Sequence, residues 1–260
     1  MNFYLDEIAE NHGFGVSEFI TIDSTNSEAL RQAKNNHLSN HWFVAKNQTA
    51  GRGRLARIWQ WHQGNLAASL LLRLNVAPDK LSTIAFVAAL AIYRALLEAG
   101  TNAKISLKWP NDILANGEKI CGILLEAHQT QSGDQALVIG FGVNIVAAPK
   151  DLPYGATCLQ DIGSDMNAEQ LFKLLSKHWL EVYRIWNEGE GLSEILKQWK
   201  KAASSIGDPV AISNHGKVIE GVFEDVDNNG RLIVKTPSGQ LEYISSGDVH
   251  FGTAASIKEL

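Results

Sequence analysis

Cysteine is scarce in this chain of 260 residues: only Cys121 and Cys158 occur. Two cysteines are no disulfide framework, and they fit a reducing, cytoplasmic setting. Long apolar runs are missing too. No stretch of about 18 or more apolar residues occurs, so no membrane span is expected. The opening MNFYLDEIAENHG has neither the basic n-region nor the apolar h-region of a signal peptide. A surplus of positive charge is absent: the formal net charge is −5, which argues against general nucleic-acid binding by charge. The eight histidines show no zinc-ligand spacing, so no metal ligand is assigned among the side chains. There is no P-loop and no G-x-S-x-G elbow. GFGVN, from Gly140 to Asn144, is no dinucleotide fingerprint, because a third glycine and a following helix are missing. Repeats, low-complexity tracts and long linkers are not found.

The length allows one sizeable core and a small second domain. SEFITID reads as a strand, and STNSEALRQAKNN as a helix with capping-box spacing at Thr25 and Glu28 and Ser24 as an alternative cap. HWFVAKN is a second strand. NLAASLLLRLN reads as a buried strand, although its pattern alone also suits a helix. PDKLSTIAFVAALAIYRALLEAG is a long buried helix with Pro78 at its start and Gly100 at its end. AKISLKW is a strand. DILANGEKICGILLEA is a hairpin turning at Asn116-Gly117. QTQSGDQ is a turn, and ALVIGFGVNIV returns as a strand. NAEQLFKLLSKHWLEVYRIWNEG and GLSEILKQWKKAAS are helices. From Ile206 the pattern becomes short strands separated by NHG, DNNG and PSG, a small all-β barrel. The fold class is therefore α+β with mostly antiparallel hairpins, divided into residues 1–205 and 206–260.

Four stretches carry polar chemistry. QTAGRGRLARIW, Gln48 to Trp59, concentrates Arg52, Arg54 and Arg57 beside Gly51 and Gly53 with no acid among them. Taken alone it is either a solvated basic loop or an anion cradle, in which glycines let backbone N–H groups approach and arginines supply forked donors. Trp59 and Trp61 either anchor this loop or stack on a base. KWPNDI places Lys108, Asn111 and Asp112 around a proline bend. A turn explains Pro110-Asn111, but a lysine in an apolar strand calls for an anionic partner. Lys119 follows the hairpin turn, where a lysine is ordinarily just solvated. Cys121 is read as facing opposite to Lys119 and as packing rather than as a nucleophile. The glycines of GFGVN suggest close backbone approach within a strand.

DSTNSEA, QTAGRGRLARIW, KWPNDI followed by K-I-CGIL-E, and GFGVNI occur in this order and together resemble the biotin protein ligases. The likeness runs over nearly the whole chain. In that family the second stretch usually reads G-R-G-R-R-G-R-x-W, and here Leu55 and Ala56 stand at the second arginine of the pair and the glycine after it. The resemblance implies a class II aminoacyl-tRNA-synthetase-like, biotin/lipoate-ligase catalytic domain with a mixed sheet, followed by a C-terminal SH3-like β-barrel. It implies activation of biotin by ATP with Mg²⁺ to biotinyl-5′-AMP and pyrophosphate. Biotin then passes to a lysine of a biotin carboxyl carrier protein, a subunit of acetyl-CoA carboxylase or of another biotin-dependent carboxylase.

By that resemblance Lys119 and Arg54 are catalytic. Biotin falls to Ser24, Thr25, Asn26, Gln48, Gly51, Arg52, Gly53, Arg54, Lys119 and Gly122. ATP and the adenylate fall to Arg52, Arg57, Trp59, Lys108, Asn111, Asp112 and Asn144. Fewer than 25 residues precede DSTN, too few for a helix-turn-helix, so a ligase without DNA binding is expected, with no membrane contact. A homodimer is compatible with the sequence. A lipoate or octanoate ligase of the same superfamily and a non-catalytic biotin-binding regulator are the alternatives.

Overall fold

The apolar run that could be strand or helix is a strand, β3 (Leu66–Leu74), and it is buried along almost its whole length. Both faces must therefore be covered, which places it at the centre of a sheet. In the computed structural model, which describes residues 2–35, 38–129, 135–152, 154–214 and 217–251, this sheet has seven strands. The others are β1 (Gly15–Phe19), β2 (His41–Ala45), β4 (Ile105–Lys108), β5 (Asp112–Ala115), β6 (Glu118–Gln129) and β7 (Gln135–Val143). Their spatial order is β1-β2-β3-β7-β6-β5-β4. Only β1 and β2 run parallel; the remaining neighbours are antiparallel.

Among the described residues the α-helices are α1 (Glu7–Asn11), α2 (Thr25–Asn35), α3 (Pro78–Glu98), α4 (Ala168–Trp186) and α5 (Leu192–Ala202). α1 is absent from the sequence reading, because a single turn and a half carries too little periodicity. α3 opens on Pro78 as expected, and Gly100 just beyond its end takes φ 74°. α4 has a true capping box between Asn167 and Gln170. The box expected at Thr25 and Glu28 does not form. Ser24 precedes α2 and its hydroxyl faces the Ser27 N–H, while the Thr25 hydroxyl turns to Gln48. β1 also stops at Phe19, short of the expected Asp23.

Alternation along the central strands separates two faces. One carries Trp42, Leu70, Ile139 and Phe141 into the large core with α3 and α4. The other carries Phe43, Leu71 and Val138 against Ala29 and Ala33 of α2. Beyond α2 this second face continues as Ser69, Gly140, Gly142 and Gly122, paired across β3, β7 and β6. Among the described residues, only the first turn of α2 reaches that part by helix, through Thr25 and Asn26 over Ser69 and Gly140, and the rest is left uncovered.

The hairpin turn at Asn116-Gly117 has both residues at positive φ, as a two-residue turn of this kind requires. The β5–β6 pairing then skips a residue: Ile113 faces Cys121, and Leu114 faces Lys119. Ile120 is the extra residue of a β-bulge. Residues two apart on a regular strand share a face, so without the bulge Lys119 would join Cys121 in the core. With it, Ile120 and Cys121 are both fully buried, and Lys119 and Gly122 emerge together on the open face.

β8 (Pro209–Asn214), β9 (Lys217–Val226), β10 (Leu232–Lys235), β11 (Leu241–Ile244) and β12 (Asp248–Phe251) build the SH3-like C-terminal sheet, in the order β11-β10-β9-β8-β12. It docks by the Trp109 indole N–H on the Gly230 carbonyl (3.2 Å) and by a Lys200–Asp225 ion pair (2.8 Å). The centre of the QTQSGDQ turn and residues 215–216 of the NHG turn lie outside the described residues.

Candidate active site

The uncovered part of the sheet is the floor of a cleft. Gly140 and Gly142 are necessary there. A Cβ on Gly140 would lie 2.1 Å from Asn26 Oδ1, and one on Gly142 would lie 2.5 Å from the Trp59 ring. The close approach expected of GFGVN is thus made by side chains laid on the strand.

At one end α2 begins. Ser24, Thr25, Asn26 and Gln48 are all buried polar residues, and the first turn of the helix orients three of them. Gln48 Oε1 accepts the Thr25 N–H (2.8 Å) and hydroxyl (3.1 Å), which leaves the Gln48 amide nitrogen as a donor. Ser69 of β3, wholly buried, reaches Thr25 Oγ1 at 2.8 Å and also bonds Asn26 Oδ1. Ser69 escaped the sequence reading; a hydroxyl inside LAASLLLRL was its only local signal. Asn26 Nδ2 donates to Glu126 Oε2 of β6 at 2.9 Å.

The Arg/Gly loop is the roof. It folds back on itself through Trp59 N–H to Gly51 carbonyl (3.0 Å) and Gly53 N–H to Arg57 carbonyl (2.8 Å). Gly51 is buried at its base and Leu55 and Ile58 are exposed outside. At the tip Leu55 and Ala56 take φ of 53° and 58°. Left-handed backbone costs non-glycine residues about 1 kcal/mol or more each, so the two departures from the family pattern fall where the loop is strained. The Trp59 ring lies on the glycine floor, and its indole N–H is buried without an acceptor among the described residues.

At the other end cations gather, each facing a carboxylate. Lys119 Nζ is 2.7 Å from Asp112 Oδ1 and stands beside the Trp59 and Tyr154 rings, 5.9 and 5.7 Å from their centroids. Its side chain is only 18% exposed, so it is not the solvated hairpin lysine that its position suggests. Arg52 stands instead at the first end, pairing at 2.7 Å with the Glu126 oxygen that Asn26 also reaches. Arg54 bonds Asn111 Oδ1 (3.0 Å) and the Gly247 carbonyl (3.3 Å), and with Arg57 it faces Asp248. The C-terminal sheet thus closes one wall, supplying Asp248 and His250 to a trough with Lys108 and Asn111. Lys108 stands across from Asp112 in the strand register. Burial pushes its ammonium below the ordinary lysine range, opposed by Asp112 and assisted by Lys119. Burial likewise pushes the His250 imidazole down, with Lys108 adding to it.

Most sequence-assigned residues therefore meet in one place. Asn144 does not. It is 2% exposed, donates to the Thr157 carbonyl (3.2 Å) and faces the Asn65 amide (3.5 Å), so it holds the loop behind the cleft rather than lining it. Cys121 is inert packing, its thiol pushed up by burial. Glu126, Tyr154, Asp248 and His250 were not assigned from sequence. Among the described residues, no three His, Cys, Asp or Glu side chains converge as a metal site.

Residues 17–144 match the Biotin/lipoate A/B protein ligase family, and residues 205–252 match the Biotin protein ligase C terminal domain. The chain is 37% identical over 238 residues to the biotin–[acetyl-CoA-carboxylase] ligase of Paracoccus denitrificans, covering 88% of this chain and 98% of that one. It is 30% identical over 237 residues to the bifunctional ligase/repressor BirA of Bacillus subtilis, covering 89% of this chain and 72% of that one. The biotin protein ligase of Aquifex aeolicus, solved in complex with biotin and ATP, superposes with a TM-score of 0.77 at 26% identity over 92% of this chain and 98% of that one. Sequence, fold and cleft agree, and the chain belongs to the biotin protein ligase family.

Proposed function

We infer that this protein is an ATP-dependent ligase that activates biotin as biotinyl-5′-AMP and passes it to a lysine of a biotin carboxyl carrier protein. The observation that carries this is the cleft's polarity: a buried hydroxyl-and-amide pocket at one end, cations at the other, and a glycine floor between them. Biotin is built to match, with a ureido ring at one end and a carboxylate at the other. We assign the ring to Ser24, Thr25, Asn26 and Gln48, and the chain to the floor under Trp59, Gly122 and the backbone of Gly53.

The carboxylate must meet the α-phosphate of ATP. Two unit charges about 4 Å apart at an effective dielectric near 20 repel by roughly 4 kcal/mol. Lys119 and Arg54 stand where they would offset that repulsion and hold charge that gathers at phosphorus. Attack of a carboxylate oxygen on phosphorus forms the acyl–phosphate bond, and pyrophosphate leaves. The trough of Arg57, Lys108 and His250 suits this polyanion. In the second step the carrier's lysine amine attacks the acyl carbon, the amide forms and AMP departs. The Arg/Gly loop, with Arg52 and Arg54, would keep water from the mixed anhydride.

Mg²⁺ usually keeps one or two protein carboxylates and takes the rest of its shell from phosphates and water. Asp112 fits that modest requirement, and the ion would supply charge neutralisation at the triphosphate. The family's carrier is a carboxylase subunit, and the Paracoccus relative's name points to acetyl-CoA carboxylase. The cysteines Cys121 and Cys158, both free and buried, support a cytoplasmic setting.

The test is incubation with ATP, Mg²⁺ and a biotin carrier domain, with biotin or lipoate, read by streptavidin blot and by pyrophosphate release. Lipoate leaves the pocket's polar groups unpaired at roughly 1–3 kcal/mol each, so biotin should win by about a hundredfold or more. Equal turnover of both acids would move the assignment to a lipoate ligase. Binding of biotin without turnover would make the protein a regulator.

A further inference from the structure

One oxygen, Oε2 of Glu126, holds two parts of the cleft at once. It lies 2.7 Å from Arg52 Nη2 on the roof and 2.9 Å from Asn26 Nδ2 beside the floor. Glu126 itself does not line the cleft. We propose that Glu126 is a positioning residue for biotin, fixing the donor–acceptor direction of the head-group pocket through Asn26 and tying the roof to that pocket through Arg52.

The direction follows from valence. An ionised carboxylate only accepts hydrogen bonds, so it fixes the Asn26 amide with its nitrogen towards Glu126 and its oxygen towards Ser69. That oxygen then claims the Ser69 proton. Independently of this, the Thr25 N–H holds Gln48 Oε1, so the Gln48 nitrogen is left to face a ligand acceptor. A neutral amide at position 126 presents either an oxygen or an NH₂ group to Asn26. The Asn26 nitrogen then keeps only the long 3.5 Å bond to the Leu124 carbonyl as a fixed acceptor, and its oxygen is less firmly pinned over Gly140. The same substitution removes the charge that anchors Arg52. Both changes act on biotin. Neither touches the trough formed by Lys108, Arg57 and His250.

This inference rests on the biotin-ligase reading, and the experiment separates the two. Wild type, Glu126→Gln, Arg52→Gln and the double variant are compared for pyrophosphate release at varied biotin and at varied ATP. A wild type that does not turn over biotin defeats the functional reading. Given an active wild type, Glu126→Gln should raise KM for biotin about tenfold, the scale of one lost charge-assisted hydrogen bond. Its kcat should stay within about threefold and its KM for ATP unchanged. Arg52→Gln lies on the loop and should raise KM for biotin in the same direction. The double variant should fall short of the product of the two single effects, because the pair is shared. A KM for biotin within twofold of wild type in Glu126→Gln would overturn the proposal, as would an equal rise in KM for ATP or full multiplication of effects in the double variant. A Glu126→Gln protein that fails to fold would also overturn it and make the residue a structural strut.

Discussion

The two faces of one set of strands lead different lives. On the α3–α4 side, Trp42 meets Phe172 and Trp179 edge to face with centroids 5.5 and 6.3 Å apart, and Phe141 lies 5.8 Å away. Large rings interlock there and leave no room. On the other side, the neighbours of Phe141 in sequence are Gly140 and Gly142, whose missing side chains are the room. A buried face stabilises through packed apolar area, whereas the open face withholds that area and keeps its polar groups paired. Stability and chemistry are thus separated by strand parity, and substitutions one residue apart should separate them too.

The largest effect is expected for Lys119→Ala. Removing one fixed cation aimed at developing charge costs on the order of 10²–10³ in rate. Adenylate formation should fall by at least that factor. Stability should drop by no more than about 1–2 kcal/mol, the cost of leaving Asp112 with a lost partner. Stopped biotin-dependent pyrophosphate release with a near-normal denaturation midpoint is the expected pair of results; a rate within threefold of wild type would remove Lys119 from the chemistry.

Next comes the comparison of adjacent residues, Ile139→Ala and Gly140→Ala. Ile139 is fully buried in the large core, and its truncation should cost about 2–4 kcal/mol of stability with biotin KM unchanged. Gly140→Ala drives a methyl group against Asn26 Oδ1. Biotin KM should rise tenfold or more for about 1–3 kcal/mol of stability. Urea denaturation and biotin titration of the two variants check this. If both variants lose the same property, the division between faces is wrong.

The smallest effect sits at the rim, where Arg31 and the Ser24 N–H hold Asp23 well below the usual carboxylate range, at about 2 instead of 3.8. A depressed carboxylate stabilises the fold above its unfolded pKa and loses that contribution as pH falls through the folded one. The pair is nearly half exposed, so solvent screening keeps it under about 1 kcal/mol. Asp23→Asn should therefore lower stability slightly at pH 7, and the difference should fade between pH 4 and 2. A gap that persists at pH 2 would assign the effect to something other than charge.

Much of this cleft was legible because its parts announce themselves locally. A helix start with hydroxyls, a loop of arginines and glycines, a lysine after a hairpin turn, and paired glycines in a strand each have their own reason. Their order and spacing brought them together. What stayed hidden depends on contacts between distant segments. Asp248 is one acid on a C-terminal strand, and nothing near it in sequence announces Arg54 and Arg57. Glu126 reads as a polar strand residue until Asn26 and Arg52 arrive. Asn144 was misplaced for the complementary reason: an amide beside two glycines looks available, yet Thr157 and Asn65 use both its ends. The Thr25 capping box failed because Gln48, brought in by β2, competes for the same hydroxyl.

The bulge at Ile120 acts as a phase shifter. Upstream of it, odd-numbered residues of β6 look into the cleft; downstream, even-numbered ones do. The hairpin that carries Lys119 and the strand that carries Gly122 and Leu124 can therefore each keep its own alternating pattern and still address one cavity. Straightening the bulge with every residue kept would leave every downstream contact in place and invert the hairpin's parity. Lys119 would turn toward the core and Ile120 toward the ligand. The reaction thus depends on a counting error of one, written into the sheet.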